Sequence, residues 1–318
     1  MKYILSHWTD PALNLALEEV ALNDLTSEDY LILWVSRPAI IVGKFQNVYQ
    51  EVDVRRAWQK NIPVYRRLSG GGCVYHDGGN LNFSYITGWN MEENTYSHFL
   101  EPVMDVLTAH GAAVYPDGIC NICVDGKKIS GNAQSIFRKR MLHHGTLLFD
   151  ARLDDLASVI RPDYEHFISK AMPSAPMAVT NLRCCPGFDI ETMDGLKQCL
   201  ISGMGCEPAD EYVLSADQVL AVRKLAETKY RTWEWNFAKS AVFEYRNDFE
   251  GLGSHIEMKV DHGVIRELTL AHRQIPRELT MAAAQMLCGK RLNYPELHAM
   301  LDLYGAYGPL LEDIIFER

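Results

Sequence analysis

The segment 66–85, RRLSGGGCVYHDGGNLNFSY, sets two arginines and a serine directly before three consecutive glycines. Glycines between a strand and the next element admit positive φ and let backbone N–H groups approach an anion with no Cβ in the way. An arginine beside such a loop adds a planar cation suited to phosphate or carboxylate. Phosphate binding is therefore the chemistry suggested, with a tight turn at a sheet edge as the structural alternative. Strand alternation sends one of Arg66 and Arg67 toward the ligand side of the loop and the other to the opposite face. The loop fits neither GxxxxGK[ST] nor GxGxxG, so those two nucleotide-binding folds are not implied. His76 and Asp77, adjacent on a turn, are expected to hold the loop by hydrogen bonds rather than to converge as a catalytic pair.

A second constellation is 121–132, NICVDGKKISGN. Asp125-Gly126 is a strong hairpin signal. Counting outward from it, Lys128 and Ser130 share one strand face while Lys127 and Ile129 share the other. If Ile129 faces the core, Lys128 faces a cleft; otherwise it is a solvated turn lysine. Gly131 after Ser130 suggests close approach of something to this strand. The third constellation is His143-His144-Gly145-Thr146, whose neighbouring histidines point apart and suit polar packing or a substrate contact better than a metal. Cys120 and Cys123 have redox or metal spacing without a second pair, and alternation again separates them, so they read as structural. No metal-ligand set is assigned.

The elements that must position these residues follow from periodicity. Asp10-Pro11 reads as an N-cap with proline at the first helical position, and Leu13, Ala16, Leu17, Val20 and Ala21 recur at helical spacing. Apolar runs at 31–35 and 39–42 read as two buried strands joined by a turn at Arg37-Pro38. A helix over 53–60 and a strand over 62–67 lead into the glycine loop. Strands are expected at 81–86, 120–124, 127–130 and 142–149, a helix at 95–110 and another at 217–229. Residues 151–215 look helical and loop-rich, punctuated by Pro162, Pro173, Pro176 and Pro186. From Val242 the pattern becomes strand, strand, strand, helix, helix. The fold class is α/β of the α+β kind, a mixed, largely antiparallel sheet flanked by helices, with units 1–240 and 241–318.

With 318 residues, 47% hydrophobic and 23% charged, the chain can bury a sizeable core. A formal net charge of −10 argues against a nucleic-acid partner. The N-terminal MKYILSHWTD is neither signal peptide nor membrane span, and eight scattered cysteines lack the density of a disulfide scaffold. The expectation is a cytoplasmic monomer with reduced thiols and no membrane association.

Three segments, RRLSGGGCVYHDGGNLNFS (66–84), KKISGNAQ (127–134) and HHGTLL (143–148), closely resemble the lipoate-protein ligases of the biotin/lipoate ligase superfamily in order and spacing. The likeness extends to RPAIIVGKFQN (37–47) and KYRTWEWNF (229–237). It implies a biotin/lipoate ligase-like catalytic domain and a small α+β accessory domain. It further implies activation of lipoate by ATP with Mg²⁺ to lipoyl-AMP, then transfer to a lysine on lipoyl domains of 2-oxoacid dehydrogenase E2 subunits or on the glycine cleavage H protein.

By that resemblance Arg67, Gly72, Cys73, Val74 and Tyr75 match the ATP-binding loop. Lys128 matches the catalytic lysine that contacts lipoate and adenylate, and Asn47, His144 and Thr146 sit at or beside the acyl-adenylate. Alanine at Ala238 and Ala241, where glycine and proline are expected, departs from the family. Two alternatives stand beside the ligase. One is an octanoyl or lipoyl transferase with a cysteine nucleophile, Cys73 or Cys185; the other is a non-catalytic module that binds lipoyl domains. Acidic acceptors facing an acidic chain imply a local basic docking patch.

Overall fold

The Asp10 carboxylate accepts the Ala12 N–H at 2.9 Å, and Pro11 opens the helix Pro11–Asp24, whose burial fixes the first layer of the fold. In this computed structural model residues 1–92, 95–249 and 253–316 are described. Fourteen strands follow in chain order among them. They are β1 (Lys2–Leu5), β2 (Tyr30–Val35), β3 (Ala39–Val42), β4 (Val64–Arg66), β5 (Val74–His76), β6 (Asn80–Gly88) and β7 (Tyr115–Asp117). The second half contributes β8 (Asn121–Val124), β9 (Lys127–Phe137), β10 (Arg140–Leu148), β11 (Phe167–Ser169), β12 (Phe243–Phe249), β13 (Ser254–Asp261) and β14 (Val264–His272).

A seven-stranded sheet runs β1-β2-β6-β10-β9-β8-β7, and apart from the parallel β1/β2 pair its ladders are antiparallel. Both faces of β2 are covered. Leu31 and Leu33 pack with Phe83, Tyr85, Val103 and Leu196 under the helices Tyr96–Ala109 and Met193–Gly203. Tyr30, Ile32 and Trp34 pack against Leu15, Val20 and Val222 from the helices Pro11–Asp24 and Ala216–Leu225. Two covered faces leave no polar side to alternate with, which is why YLILWV is apolar throughout. Each such side chain contributes roughly 1.5–3 kcal/mol by leaving water.

The runs at 31–35 and 39–42 enter different sheets rather than pairing. β3 is the centre of a three-stranded sheet, parallel to β4 and antiparallel to β5. The glycine loop is the connection that carries the chain from β4 over the end of β3 to β5. Other boundaries move as well. The strand expected at 127–130 extends to Phe137, because β10 pairs along it from Phe137 to Asn132. The helix expected at 217–229 is Ala216–Leu225 followed by a π turn Ala226–Tyr230, where the Tyr230 hydroxyl donates to Glu19 at 2.7 Å.

The C-terminal pattern holds three helices after its strands, Arg277–Leu287, Tyr294–Leu301 and Gly308–Phe316. Its sheet runs β11-β12-β13-β14, so residues Phe167–Ser169 lend a strand to it from inside the first 240 residues. A break at residue 240 therefore describes chain order but not sheet membership.

The segment 233–240 joins the two units through Arg66. The Trp235 indole donates to the Arg66 carbonyl at 2.8 Å and the Asn236 side chain accepts the Arg66 N–H at 2.9 Å. The fully buried Arg66 guanidinium donates to the carbonyls of Gly43, Gln46 and Asn236 at 2.9, 2.8 and 2.9 Å and to the Ser240 hydroxyl at 3.2 Å. Farther along the seam, Arg55 reaches Glu312 at 2.9 Å and Asp313 at 2.6 Å, and the Tyr49 hydroxyl donates to the Leu292 carbonyl at 2.5 Å.

Candidate functional site

Arg67 shapes the glycine loop. Its Nε donates to the Ser69 hydroxyl at 3.0 Å, Nη1 to the Ile41 carbonyl at 3.1 Å, and Nη2 to the Gly70 and Gly72 carbonyls at 2.6 and 2.8 Å. Pulling these carbonyls inward turns the loop's backbone over the guanidinium. Gly71 adopts φ 84°, the left-handed region that favours glycine. A Cβ on Gly43 would lie 2.1 Å from the Gly71 carbonyl oxygen, so the end of β3 must also be glycine for the loop to close down on it. Burial pushes the Arg67 pKa down to about 10, which leaves it charged at neutral pH.

Behind Arg67 lies a buried relay. The Ser69 hydroxyl is 2.6 Å from His144 Nε2, and His144 Nδ1 is 3.1 and 3.2 Å from the two Glu18 carboxylate oxygens. The Ser84 hydroxyl donates to the same carboxylate at 2.5 Å. Donation from His144 Nδ1 and acceptance at Nε2 satisfy every member of this chain. His143 turns to the opposite face, where it stacks on Phe99 at 4.6 Å and burial lowers its pKa to about 3. The two histidines separate as strand alternation requires.

Across the cavity, β8 and β9 carry a bulge. Ile122 pairs with Ser130 and Cys123 with Lys128, leaving Ile129 as the extra residue. Simple alternation outward from the turn is thereby interrupted. Ile129 nevertheless packs in the core and Lys128 lines the cavity. The close approach that Gly131 permits is made by Lys128 itself, since a Cβ at Gly131 would lie 2.6 Å from Lys128 Nζ. Burial lowers the Lys128 pKa, with a smaller push from Arg67. Among the described residues its ammonium has no carboxylate within ion-pair distance. The Gly131 N–H donates to the Thr146 hydroxyl at 3.3 Å, placing Thr146 beside the lysine.

The third wall is the segment 173–179. Ser174 receives the Cys73 N–H at 3.0 Å and the Gln46 amide at 2.9 Å, and its own N–H donates to Glu51 at 3.1 Å. At the far end the Lys128 N–H donates to the Ala178 carbonyl at 2.8 Å and the Thr180 N–H to the Lys128 carbonyl at 3.1 Å. This strap thus spans from the glycine loop to the lysine.

Together these walls enclose a cavity of about 480 Å³. Arg67, Gly72, Cys73, Val74, Tyr75, Lys128, His144 and Thr146 all line it. Asn47 does not join them: it caps the helix Val48–Glu51, accepting the Tyr49 N–H at 3.1 Å, and is fully buried off the cavity wall. His76 lines the cavity with neither ring nitrogen hydrogen-bonded, so the loop-holding role expected of the His76-Asp77 pair belongs to Asp77 alone. Asp77 accepts the N–H groups of Gly79 and Arg152, each at 2.8 Å. Burial drops the His76 pKa to about 3, and its ring meets Trp34 edge-on at 5.4 Å.

Trp34 Nε1, the Tyr75 hydroxyl and Asn132 Oδ1 are likewise buried on this wall without partners. Unpaired buried polar atoms are uncommon, and here they gather where a polar ligand would meet them. The inner end adds Leu15, Leu148, Leu156 and Ile160, so one cavity combines cations and unpaired polar atoms with an apolar recess. Sequence alone does not point to Leu15, Glu18, Trp34 or the strap, because none of them carries a local signature.

The thiols differ from nucleophiles. Burial raises the Cys73 pKa well above the usual thiol value, with Glu51 adding to it, and burial also raises Cys185, which donates to the Asn181 carbonyl at 3.6 Å. Among the described residues no cluster of three or more His, Cys, Asp or Glu could hold a metal, and no helix is long and apolar enough to cross a membrane.

Residues 10–204 match the family model described as the lipoyl protein ligase A/B catalytic domain. Lipoate–protein ligase 1 of Staphylococcus aureus is 35% identical over 264 residues, 82% of this chain and 80% of that protein. A P. falciparum structure in complex with lipoate covers 100% of this chain and 99% of its own at a TM-score of 0.62 and 21% identity. A bipartite lipoate protein ligase of Thermoplasma acidophilum, studied with its E2 lipoyl domain, covers 74% of this chain and 95% of its own at 0.63 and 23%. A lipoate-protein ligase A bound with ATP covers 74% and 99% at 0.62 and 24%. These structural likenesses carry the fold, a mixed sheet flanked by helices with a further C-terminal unit in the full-length match.

Proposed function

The chain belongs to the lipoate-protein ligases, ATP-dependent enzymes that act on lipoyl domains, and from that premise we propose how its residues divide the reaction. The observation that carries the proposal is Lys128, a half-buried lysine facing the Arg67-shaped glycine loop across one cavity with an apolar recess. The acyl chain of free lipoate lies in the recess toward Leu15, Trp34 and His76, and ATP lies along the loop from Gly72 to Tyr75.

A lipoate carboxylate oxygen attacks the α-phosphorus, the bond to the bridging oxygen breaks, and pyrophosphate leaves. Lys128 stabilises the charge shared by the carboxylate and α-phosphate as they join, an interaction strengthened where water is excluded. Arg67 holds the loop carbonyls and presents positive potential from behind, while the relay through Ser69, His144 and Glu18 fixes its fork. Thr146 lies within reach of the same adenylate. Asn47 acts on the site through the helix it caps. The acceptor lysine nitrogen then attacks the acyl carbon of lipoyl-AMP, the C–N bond forms, AMP departs and the amine proton passes to solvent.

Mg²⁺ would accompany the polyphosphate and neutralise its charge, taking few ligands from the protein. The glycine cleavage H protein stands as an acceptor beside E2 lipoyl domains. We place the enzyme in the cytoplasm as a monomer, with 1–240 as its catalytic unit and 241–318 as the accessory unit. Cysteine-dependent transfer is disfavoured by the raised pKa values of Cys73 and Cys185, which keep both thiols protonated.

The test is incubation with free lipoate, ATP-Mg and an apo E2 lipoyl domain. Pyrophosphate release with one lipoyl group added to the acceptor lysine is expected. Transfer from an acyl-carrier donor with no use of ATP would overturn the proposal, as would tight binding without modification.

A further inference from the structure

The glycine loop and the strap meet at Ser174, and the rim beside that junction carries apolar side chains which the fold leaves exposed. The Phe45 ring lies over Gly70, 3.7 Å from where a Cβ would stand, yet is 58% exposed. The Met172 N–H donates to the Phe45 carbonyl at 3.3 Å, and Met172 is 62% exposed. Neither side chain contributes to the cavity wall or to a core cluster. Lys44 Nζ stands 5.4 Å from the centre of the Phe45 ring, and Lys170 lies two residues before Met172. Among the described residues Lys44 and Lys170 take no ion pair, although the chain as a whole carries 41 acidic against 31 basic residues. An apolar centre flanked by free ammonium groups is a docking surface rather than a solvated face.

We propose that Phe45 and Met172, flanked by Lys44 and Lys170, form the surface on which the acceptor domain docks, an acidic partner that carries the acceptor lysine. The inference rests on the ligase reading above, since the amine must enter the cavity past this rim to reach the acyl carbon beside Lys128. Exposed aromatic and methionine side chains supply the contact, and the two lysines select an acidic partner and speed its encounter. None of these four side chains lines the cavity, so the two half-reactions separate the rim from the reaction chemistry.

Two double variants test this, Phe45→Ser with Met172→Ser and Lys44→Glu with Lys170→Glu. Hydroxylamine intercepts the acyl-adenylate as a hydroxamate without any docking, and an apo E2 lipoyl domain reports transfer. Both variants are expected to form hydroxamate at the wild-type rate. The KM for the lipoyl domain should rise at least ~10-fold in each, the scale of losing contacts central to an interface. The wild-type KM should also climb with added salt, and the charge reversal should flatten that dependence. An unchanged lipoyl-domain KM in both variants overturns the docking surface, as does a parallel fall in hydroxamate. Failure of the wild type itself to form hydroxamate overturns the ligase chemistry instead.

Discussion

Arg66 and Arg67 are consecutive and both buried, and among the described residues neither is paired with a carboxylate, yet they build opposite ends of the protein's working. Arg66 closes the seam between the three-stranded sheet and the segment 233–240, gathering carbonyls from two stretches of chain. Arg67 gathers carbonyls too, but from Gly70 and Gly72, and so becomes the scaffold of a ligand loop. Burial lowers both to about 10, so the difference between them is not electrostatic. It lies in which acceptors each side chain meets when strand alternation points the two apart. A seam arginine should govern stability, and the cavity should govern rate.

The sharpest division comes from Lys128→Ala. Removing the cavity's cation should slow adenylate formation by on the order of 10³-fold, about 4 kcal/mol, as for loss of a preorganised charge stabiliser. The melting temperature should stay near wild type because Lys128 holds no structural ion pair; pyrophosphate release and thermal melting read the two effects. A variant that keeps its rate removes Lys128 from the chemistry.

Arg66→Ala should do the reverse. Several carbonyls at the seam lose their donor together, so a cost of roughly 3 kcal/mol is expected, within the range for breaking a buried charged network. Denaturant melts should show it, and the Phe243–Phe249 sheet should exchange its amide hydrogens faster than the seven-stranded sheet. Equal acceleration in both sheets would mean that Arg66 does not join them.

Acid acts on two buried histidines. His76 on the cavity wall and His143 in the core have folded pKa values near 3. A depressed histidine pKa means that the unfolded chain binds more protons, so stability is complete above pH ~6.5 and falls as pH drops toward ~3. Each contributes up to about 1.4 kcal/mol per pH unit in that window. His76→Phe should flatten the cavity's share and His143→Phe the core's, measured by urea melts at pH 7 and 5.

Cys73→Ser should have the smallest effect. A protonated loop thiol is a packing group, so adenylation and transfer should both stay within about 3-fold of wild type. Loss of transfer alone would restore a covalent role.

Much of this was legible in the sequence because the signals were local. Asp10-Pro11 announces its helix through a cap formed two residues away, and Asp125-Gly126 its hairpin through turn geometry. Eight of the nine residues with expected site roles, Lys128 among them, reach one cavity wall for the same reason: the motifs are short and their strands rigid. Asn47 misses the wall because a capping interaction with Tyr49 N–H claims its side chain first. His76 and Asp77 exchange their expected shares because burial against Trp34 leaves the imidazole no partner while the carboxylate finds two.

The sequence by itself determined the glycine loop, the arginine pair beside it, the hairpin lysine and the mixed order of strands and helices, since each depends on residues within a turn or two of one another. Tertiary structure alone decided that β2 and β3 part into two sheets, that β11 crosses to the accessory sheet, and which arginine serves which region. It also supplied Glu18, Trp34 and the strap to the cavity. Those choices turn on contacts between segments separated by up to hundreds of residues, where burial and the pairing of backbone carbonyls outweigh any local preference.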